Sequence, residues 1–289
     1  MTNQLCPLCR SDSKFAFEAK GYPLHDCLAC GHRFAVIAAG EQHVNEVYDD
    51  SYFSGGGAGY SDYLAEGEML NLRGRMYARK IAGLAPAKGK MLDVGAAAGF
   101  ILRGFVDSGW QGTGLEPNAQ MAKFGATTLG LHIRKGSLES FRTRDRFDLI
   151  SMIQVAAHFY DPRAAFERAR DLLADEGLLL IETWNRDSIS ARLFGRNWHE
   201  YSPPSVLQFF SEKGLTGFLE GIGFQKVAGG RPSKKISGAH ARSLLKYRIG
   251  DSFLLKVIPE KLNFPYPSED LFWAAYRLLP RERKDAEAV

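Results

Sequence analysis

Between residues 61 and 116 the apolar positions change their rhythm twice. From Ser61 to about Leu84 the pattern is helical. Pro86, Lys88 and Gly89 then break it with a turn. Lys90-Met91-Leu92-Asp93-Val94 reads as a short buried strand, and it runs into Gly95-Ala96-Ala97-Ala98-Gly99. A helix is expected from Phe100 to Ser108, and Gly114-Leu115-Glu116 ends a second strand. A strand, a turn of small residues and a helix N-terminus in succession make a nucleotide-type site. Glu116 follows Asp93 at close to the ~20-residue spacing that puts an acid at the tip of the second strand, ready to accept ribose hydroxyls.

The turn does not suit a dinucleotide. A G-x-G-x-x-G pattern begun at Gly95 needs glycine at its third and sixth places, where this chain has Ala97 and Phe100. Asp93, at the end of the first strand, would repel a pyrophosphate. A carboxylate there suits a cationic ligand. S-adenosylmethionine carries an ammonium and a sulfonium and no phosphate, and it still needs small residues so that backbone can approach it.

The N-terminal segment has a different chemistry. All four cysteines fall in Cys6-Pro7-Leu8-Cys9 and Cys27-Leu28-Ala29-Cys30, with residues 10–26 between the pairs. This matches the zinc pattern C-x2-C, ~15–20 residues, C-x2-C. Each turn points two thiolates at one centre, and two turns complete a tetrahedral structural zinc site. So short a module has almost no core of its own, and the metal must supply its folding energy. The alternatives are a redox role for either pair or four unrelated core cysteines. His25 and His32 are not needed as ligands. Residues 1–40 are assigned to this ribbon and 41–60 to a linker. The linker contains the flexible Ser54-Gly55-Gly56-Gly57-Ala58-Gly59 but also Tyr48, Tyr52, Phe53 and Tyr60, with Tyr63 just beyond. So many aromatics suggest packing on the next domain, either over an active site or as simple anchoring.

Composition narrows the class. With 289 residues, 45% of them hydrophobic, the chain suits one large domain and one small one. The net charge of +4 gives no argument for nucleic acid, and the clusters at Arg142, Arg144 and Arg146, at Lys234 and Lys235, and at Arg281, Arg283 and Lys284 read as solvated surface. Met1–Cys9 is polar and offers no apolar core for a leader, and no apolar run approaches the ~18 residues of a membrane span. A cytoplasmic protein is expected, in keeping with metal-binding cysteines.

An ordered series of segments carries a resemblance. It comprises Leu92-Asp93-Val94-Gly95-Ala96-Ala97-Ala98-Gly99, Gly114-Leu115-Glu116-Pro117-Asn118, Gly136-Ser137-Leu138-Glu139, Phe147-Asp148-Leu149-Ile150, His158-Phe159-Tyr160-Asp161-Pro162, the run Leu172–Thr183 and the late Gly223-Phe224. Together they resemble class I S-adenosylmethionine-dependent methyltransferases, especially bacterial ones with an N-terminal zinc ribbon. The resemblance implies an α/β, Rossmann-like, seven-stranded domain over 61–280. Strands are expected near 91–94, 112–116, 131–134, 147–152, 177–182, 224–228 and 270–277, the last inserted antiparallel between its neighbours. It implies that Asp93, Gly95, Ala97 and Gly99 line the methionine end of the cofactor, that Glu116, followed by Pro117, takes the ribose, that Ser137 and Leu138 sit by the adenine, and that Gln154 lies near the sulfur. Insertions at 184–205 and 231–268, the second with a helix around Ala239–Val257, are read as substrate covers, and 281–289 as a charged tail.

Methyl transfer from a sulfonium is an in-line displacement in which positioning supplies most of the acceleration, and a hydroxyl acceptor also needs a base. His158 matches the family's histidine after strand four. Trp198-His199-Glu200-Tyr201 offers His199 and Tyr201 as further candidates. Three departures from the family stand out: Ala157 where glutamate often precedes the histidine, Ser205-Val206 after Pro203-Pro204 where a histidine often follows, and Ser137 where aspartate often faces the adenine. The leading reading is an enzyme acting on a small molecule or glycan. The alternatives are an RNA or protein methyltransferase that docks through the ribbon, and a non-catalytic scaffold of the same fold. The acceptor and the oligomeric state are not written in the sequence.

Overall fold

The computed structural model describes residues 4–54, 62–85, 88–238, 242, 259, 263–266 and 268–280. Three short strands open the chain: β1 (Ser13–Ala19), β2 (Tyr22–Cys27) and β3 (Arg33–Ala35). Helices α1 (Glu41–Val47), α2 (Asp50–Ser54) and α3 (Gly67–Ile81) follow. Strands and helices then alternate through β4 (Lys90–Val94), α4 (Phe100–Asp107), β5 (Gln111–Glu116), α5 (Ala119–Thr127), β6 (His132–Lys135), β7 (Phe147–Ile153), α6 (Pro162–Leu172) and β8 (Leu173–Trp184). The remainder holds α7 (Ile189–Phe194), β9 (Gln208–Phe209), α8 (Glu212–Gly221), β10 (Phe224–Gly230), β11 (Lys234–Ser237), β12 (Asn263–Tyr266) and β13 (Leu271–Leu278).

The main sheet has the order β10-β13-β8-β7-β4-β5-β6. Its strands from β4 to β8 pair in parallel, and β13 lies antiparallel between β8 and β10. All seven strands expected from the sequence are present in the expected arrangement. Helices cover both faces, which is why Leu178–Thr183 and Leu271–Tyr276 are apolar almost without alternation and buried. Local chemistry starts the helices: Asn118 accepts from Met121 N at 2.9 Å, Asp161 from Ala164 N at 3.0 Å with Pro162 following it, and Ser211 from Gly214 N at 3.1 Å.

Helix α3 reaches the site because it packs against α4 at very close range. A Cβ on Gly74 would stand 2.1 Å from the Ile101 carbonyl oxygen, and one on Gly104 2.3 Å from that of Asn71. Two glycines facing each other let the backbones touch, and this closeness brings Leu70 and Arg73 to the edge of the sheet.

The N-terminal sheet has the order β1-β2-β3-β9, so its fourth strand comes from the far side of the chain. Cys6, Leu8, Cys27 and Phe34 share one apolar core with Phe166, Phe210 and Leu215. The segment 184–205, expected to cover substrate, packs for the most part elsewhere, and only Ser205 at its end meets the cleft residues His158 and Tyr48. Trp198 and Tyr201 are buried with Ala19, Leu24, Ala35 and Phe209 against this small sheet, because their large rings need an apolar wall and β2 and β3 supply it. In the second insertion β11 pairs with β12. Apart from residue 242, the helix expected at 239–257 lies outside the described residues, as do residues 55–60 of the linker and the tail 281–289. No helix among the described residues is long and apolar enough to cross a membrane.

Candidate functional site

A cleft opens at the carboxyl ends of the parallel strands, where ligands of such sheets bind. It encloses about 1040 Å³, open solvent at its mouth included. The loops after β4, β5, β6 and β7 form its floor, contributing Asp93 to Ala97, Glu116 and Pro117, Gly136 to Glu139, and Ile153 to Val155. Its roof comes from α1, α2 and the start of α3.

Two acids dominate the floor. Asp93 is 3% exposed and accepts one hydrogen bond, from the Ser151 hydroxyl at 2.6 Å. Burial pushes its carboxyl up to about 7. Glu116, on the neighbouring strand, is equally buried and accepts from the Ala97 and Asn118 backbone N–H groups, each at 2.8 Å. Burial pushes it up to about 7 as well, and the charge of Asp93 adds to the rise against the pull of the two N–H donors. Two carboxyls held this way in one apolar cleft gain most from a ligand that brings positive charge and hydroxyl donors. Gly95 has φ +67°, and a Cβ there would lie 2.6 Å from Val155, so glycine alone fits this turn.

At the opposite end, His158 Nδ1 lies 2.7 Å from the Ser205 carbonyl oxygen and 2.8 Å from the Tyr48 hydroxyl, which itself donates to the same carbonyl at 2.7 Å. A carbonyl only accepts, so Nδ1 carries the proton. Burial pulls the His158 pKa down, which leaves the ring neutral near pH 7. Two lining residues, Arg73 and Gln154, meet at the buried Glu182, which accepts from Arg73, from Tyr77 and, at 2.7 Å, from Gln154 Nε2.

The four cysteines form a separate centre. Their sulfur atoms lie within 4.8 Å of one another, with Cys6–Cys30 at 3.7 Å and Cys9–Cys27 at 3.4 Å. Tetrahedral Zn–S bonds of ~2.3 Å place sulfurs ~3.8 Å apart, so the set fits zinc. His25 and His32 stay outside it: His25 Nδ1 contacts the Ser13 hydroxyl at 3.1 Å, and His32 Nε2 contacts Gln208 Oε1 at 2.9 Å.

Of the cofactor positions read from the sequence, Asp93, Gly95, Ala97, Glu116, Pro117, Ser137, Leu138 and Gln154 all line the cleft. Gly99 does not. It starts α4 at φ +85°, with Leu131 and Ile133 where a Cβ would be. His158 lines the cleft, and His199 and Tyr201 do not. His199 stands beside Glu200 (3.2 Å) and Trp184, and the Tyr201 hydroxyl accepts from Arg33 at 2.7 Å. The linker aromatics Tyr48, Tyr52 and Phe53, with Tyr63, line the cleft, which decides between the two roles their number suggested. Arg73 and Glu139 on the lining, and Glu182 that holds Arg73 and Gln154, were not foreseen. The available signals were an arginine sharing the buried helical face of Leu70 and Tyr77, and an acid inside the apolar run of β8.

Residues 69–228 match the family described as "Methyltransferase domain". Among curated proteins, the ubiquinone biosynthesis O-methyltransferase of Rhodopseudomonas palustris (strain BisB5) is 31% identical over 119 residues, which are 39% of this chain and 47% of that protein. The enzyme of the same name from Bradyrhizobium sp. (strain ORS 278) is 29% identical over 150 residues, 45% and 56% of the two chains. The chain thus spans about half the length of the curated relatives it matches. Two solved structures share the fold. One is a candidate methyltransferase of Bacillus halodurans C-125 (16% identity, TM-score 0.53, 70% of this chain and 99% of that one). The other is an S-adenosylmethionine-dependent methyltransferase of Clostridium acetobutylicum ATCC 824 (8% identity, TM-score 0.50, 73% and 92%). With the family match covering more than half of its length and the strand order agreeing with the expected class I arrangement, the chain belongs to the methyltransferase-domain family.

Proposed function

We propose that this protein transfers the methyl group of S-adenosylmethionine to a small-molecule or glycan acceptor. The observation that carries the reading is the pair Asp93 and Glu116, two buried carboxyls with raised pKa values on adjacent strand ends of one cleft. When bound, S-adenosylmethionine supplies an electrophilic methyl on a sulfonium. Asp93 suits the methionine ammonium. Glu116 keeps lone pairs for the ribose hydroxyls beyond its two backbone donors. Arg73 is the one lysine or arginine on the lining among the described residues and suits the carboxylate. We assign Ser137 and Leu138 to the adenine and Gln154 to the sulfur side, all three being on the lining.

His158 is the residue to which we assign proton removal. With Nδ1–H engaged by Ser205, Nε2 is the atom able to take a proton from an acceptor hydroxyl. Tyr48, Tyr52, Phe53 and Tyr63 exclude water and offer ring faces to a flat or cyclic acceptor. The names of the curated relatives, O-methyltransferases of ubiquinone biosynthesis, support a hydroxyl acceptor. The test is transfer of labelled methyl to panels of phenols and sugars by the wild type and by His158→Gln. Transfer by the wild type, lost in the variant while S-adenosylhomocysteine still binds, supports the reading. Equal transfer by both removes His158 from the chemistry.

A further inference from the structure

We propose that the four-cysteine module braces the His158 end of the cleft from outside its lining, and that Gln208 is the positioning residue through which it holds His158. The inference deepens the assignment of His158 as the base and rests on it. Residues 205–208 lead from a turn at Ser205 into β9 and form a rail between two partners. On one side the rail makes three hydrogen bonds to three successive residues of the His158 turn. The Leu207 N–H donates to the Ala157 carbonyl at 2.9 Å, His158 Nδ1–H donates to the Ser205 carbonyl at 2.7 Å, and Gln208 Nε2 donates to the Phe159 carbonyl at 3.0 Å.

On its other side the rail belongs to the cysteine module. The Ala35 N–H donates to the Leu207 carbonyl at 2.9 Å, and β3 pairs with β9 through Arg33 with Phe209 and Phe34 with Gln208. His32, two residues after Cys30, meets Gln208 Oε1 at 2.9 Å, and both side chains are buried. The two ends of the Gln208 amide therefore face opposite ways, its oxygen to the module and its nitrogen to the backbone beside His158. Beyond the rail, Arg163 donates to the Leu8 carbonyl at 2.8 Å and Arg10 pairs with Asp161 at 3.4 Å, so that α6 is fastened to the first cysteine turn too. A module that served only to dock a partner would not need its fourth strand to come from the segment that holds the cleft histidine. In this arrangement a metal held by Cys6, Cys9, Cys27 and Cys30 would fix the two cysteine turns, the turns hold β2 and β3, and β3 holds the rail.

The experiment uses the full zinc-loaded chain with 15N-labelled histidine. The His158 ring signals are assigned by their loss in His158→Gln, and Gln208→Met keeps the side chain's volume but removes the amide. Zinc content and S-adenosylhomocysteine affinity are measured on the same samples. The expected result is that Gln208→Met keeps its zinc and binds the ligand within about two-fold of wild type, while the His158 Nδ1–H signal shifts and exchanges at least about ten-fold faster. Mild chelation, with the fold monitored by circular dichroism, should produce the same change. An unshifted, equally protected signal in Gln208→Met overturns the proposal. So does a wild-type chain that holds no metal and shows the protected signal regardless. Failure of the wild type to bind S-adenosylhomocysteine would count against the proposed function and leave the histidine readout intact.

Discussion

The two ends of the cleft are built in different ways. The end that holds Asp93 and Glu116 comes from consecutive loops of one parallel sheet, and its parts lie within residues 93–139. The end that holds His158 is assembled from Tyr48, the 156–159 turn and Ser205, which meet at 2.7–2.8 Å across long stretches of chain. The first is rigid because strands and steric limits fix it. The second depends on the docking of the N-terminal module and of α1. The first end draws mainly on one sheet edge, with Ser151 and Val155 of the neighbouring strand and loop beside it, whereas the second changes when any of three remote segments moves.

The largest expected effect falls on the rigid end. Gly95→Ala places a side chain at φ +67° and 2.6 Å from Val155, and should destabilise the chain by about 2 kcal/mol or more. Calorimetry should show the Tm lower by roughly 4–8 °C, with S-adenosylhomocysteine binding weakened in step. An unchanged Tm would mean that the turn is not confined as described.

Glu116→Gln comes next. It keeps the shape but puts an amide N–H against the Ala97 or Asn118 donor and removes the charge. Ligand affinity should fall by about ten-fold or more, with little change in fold by circular dichroism. Retained affinity would remove the ribose role.

The pH dependence sharpens the contrast further. Asp93 and Glu116 both titrate near 7, above the ordinary carboxyl range. Between about pH 4 and 7 the unfolded chain has released these protons and the folded chain still holds them, so the unliganded protein loses stability as pH rises through that window. A cationic ligand with hydroxyl donors favours the ionised forms. Binding at pH 7 should therefore release protons, and affinity should rise from pH 6 to 8. Titrations in buffers of different ionisation enthalpy would show this, and proton uptake would contradict it.

The smallest effect belongs to the assembled end. Tyr48→Phe removes one hydroxyl from the Ser205 carbonyl and leaves the ring against His158. It should lower stability by only about 1 kcal/mol and leave ligand affinity within about three-fold. A loss as large as that of Glu116→Gln would mean that the two ends are not separate.

The same contrast explains what could be read from the chain alone. Asp93, Gly95 and Glu116 were legible because each sits at a fixed spacing from a strand end, and strand spacing is written locally, whereas Ala97, Pro117, Ser137, Leu138 and Gln154 came from the family resemblance. The four cysteines were legible for a similar reason, since two short turns bring their sulfurs together. Ser205, Gln208 and Arg73 were not legible, because nothing local marks which remote segments will meet. His199 and Tyr201 are candidates in the sequence because an aromatic-flanked His-Glu pair can form a base with its orienting carboxylate. Burial decided otherwise for Tyr201, whose ring fills a gap against Phe17 and Phe209 and whose hydroxyl binds Arg33. The strand of β9 was missed altogether, for two residues carry no periodic signal.

The most direct test of the account is calorimetric titration of the zinc-loaded protein with S-adenosylhomocysteine, beside Asp93→Asn. This variant can keep the Ser151 hydrogen bond and loses only the charge. The account predicts saturable one-to-one binding by the wild type, weakened by about 30-fold or more in the variant, as expected when one partner of a buried charge pair is removed. No binding by the wild type, or equal binding by both, would contradict it.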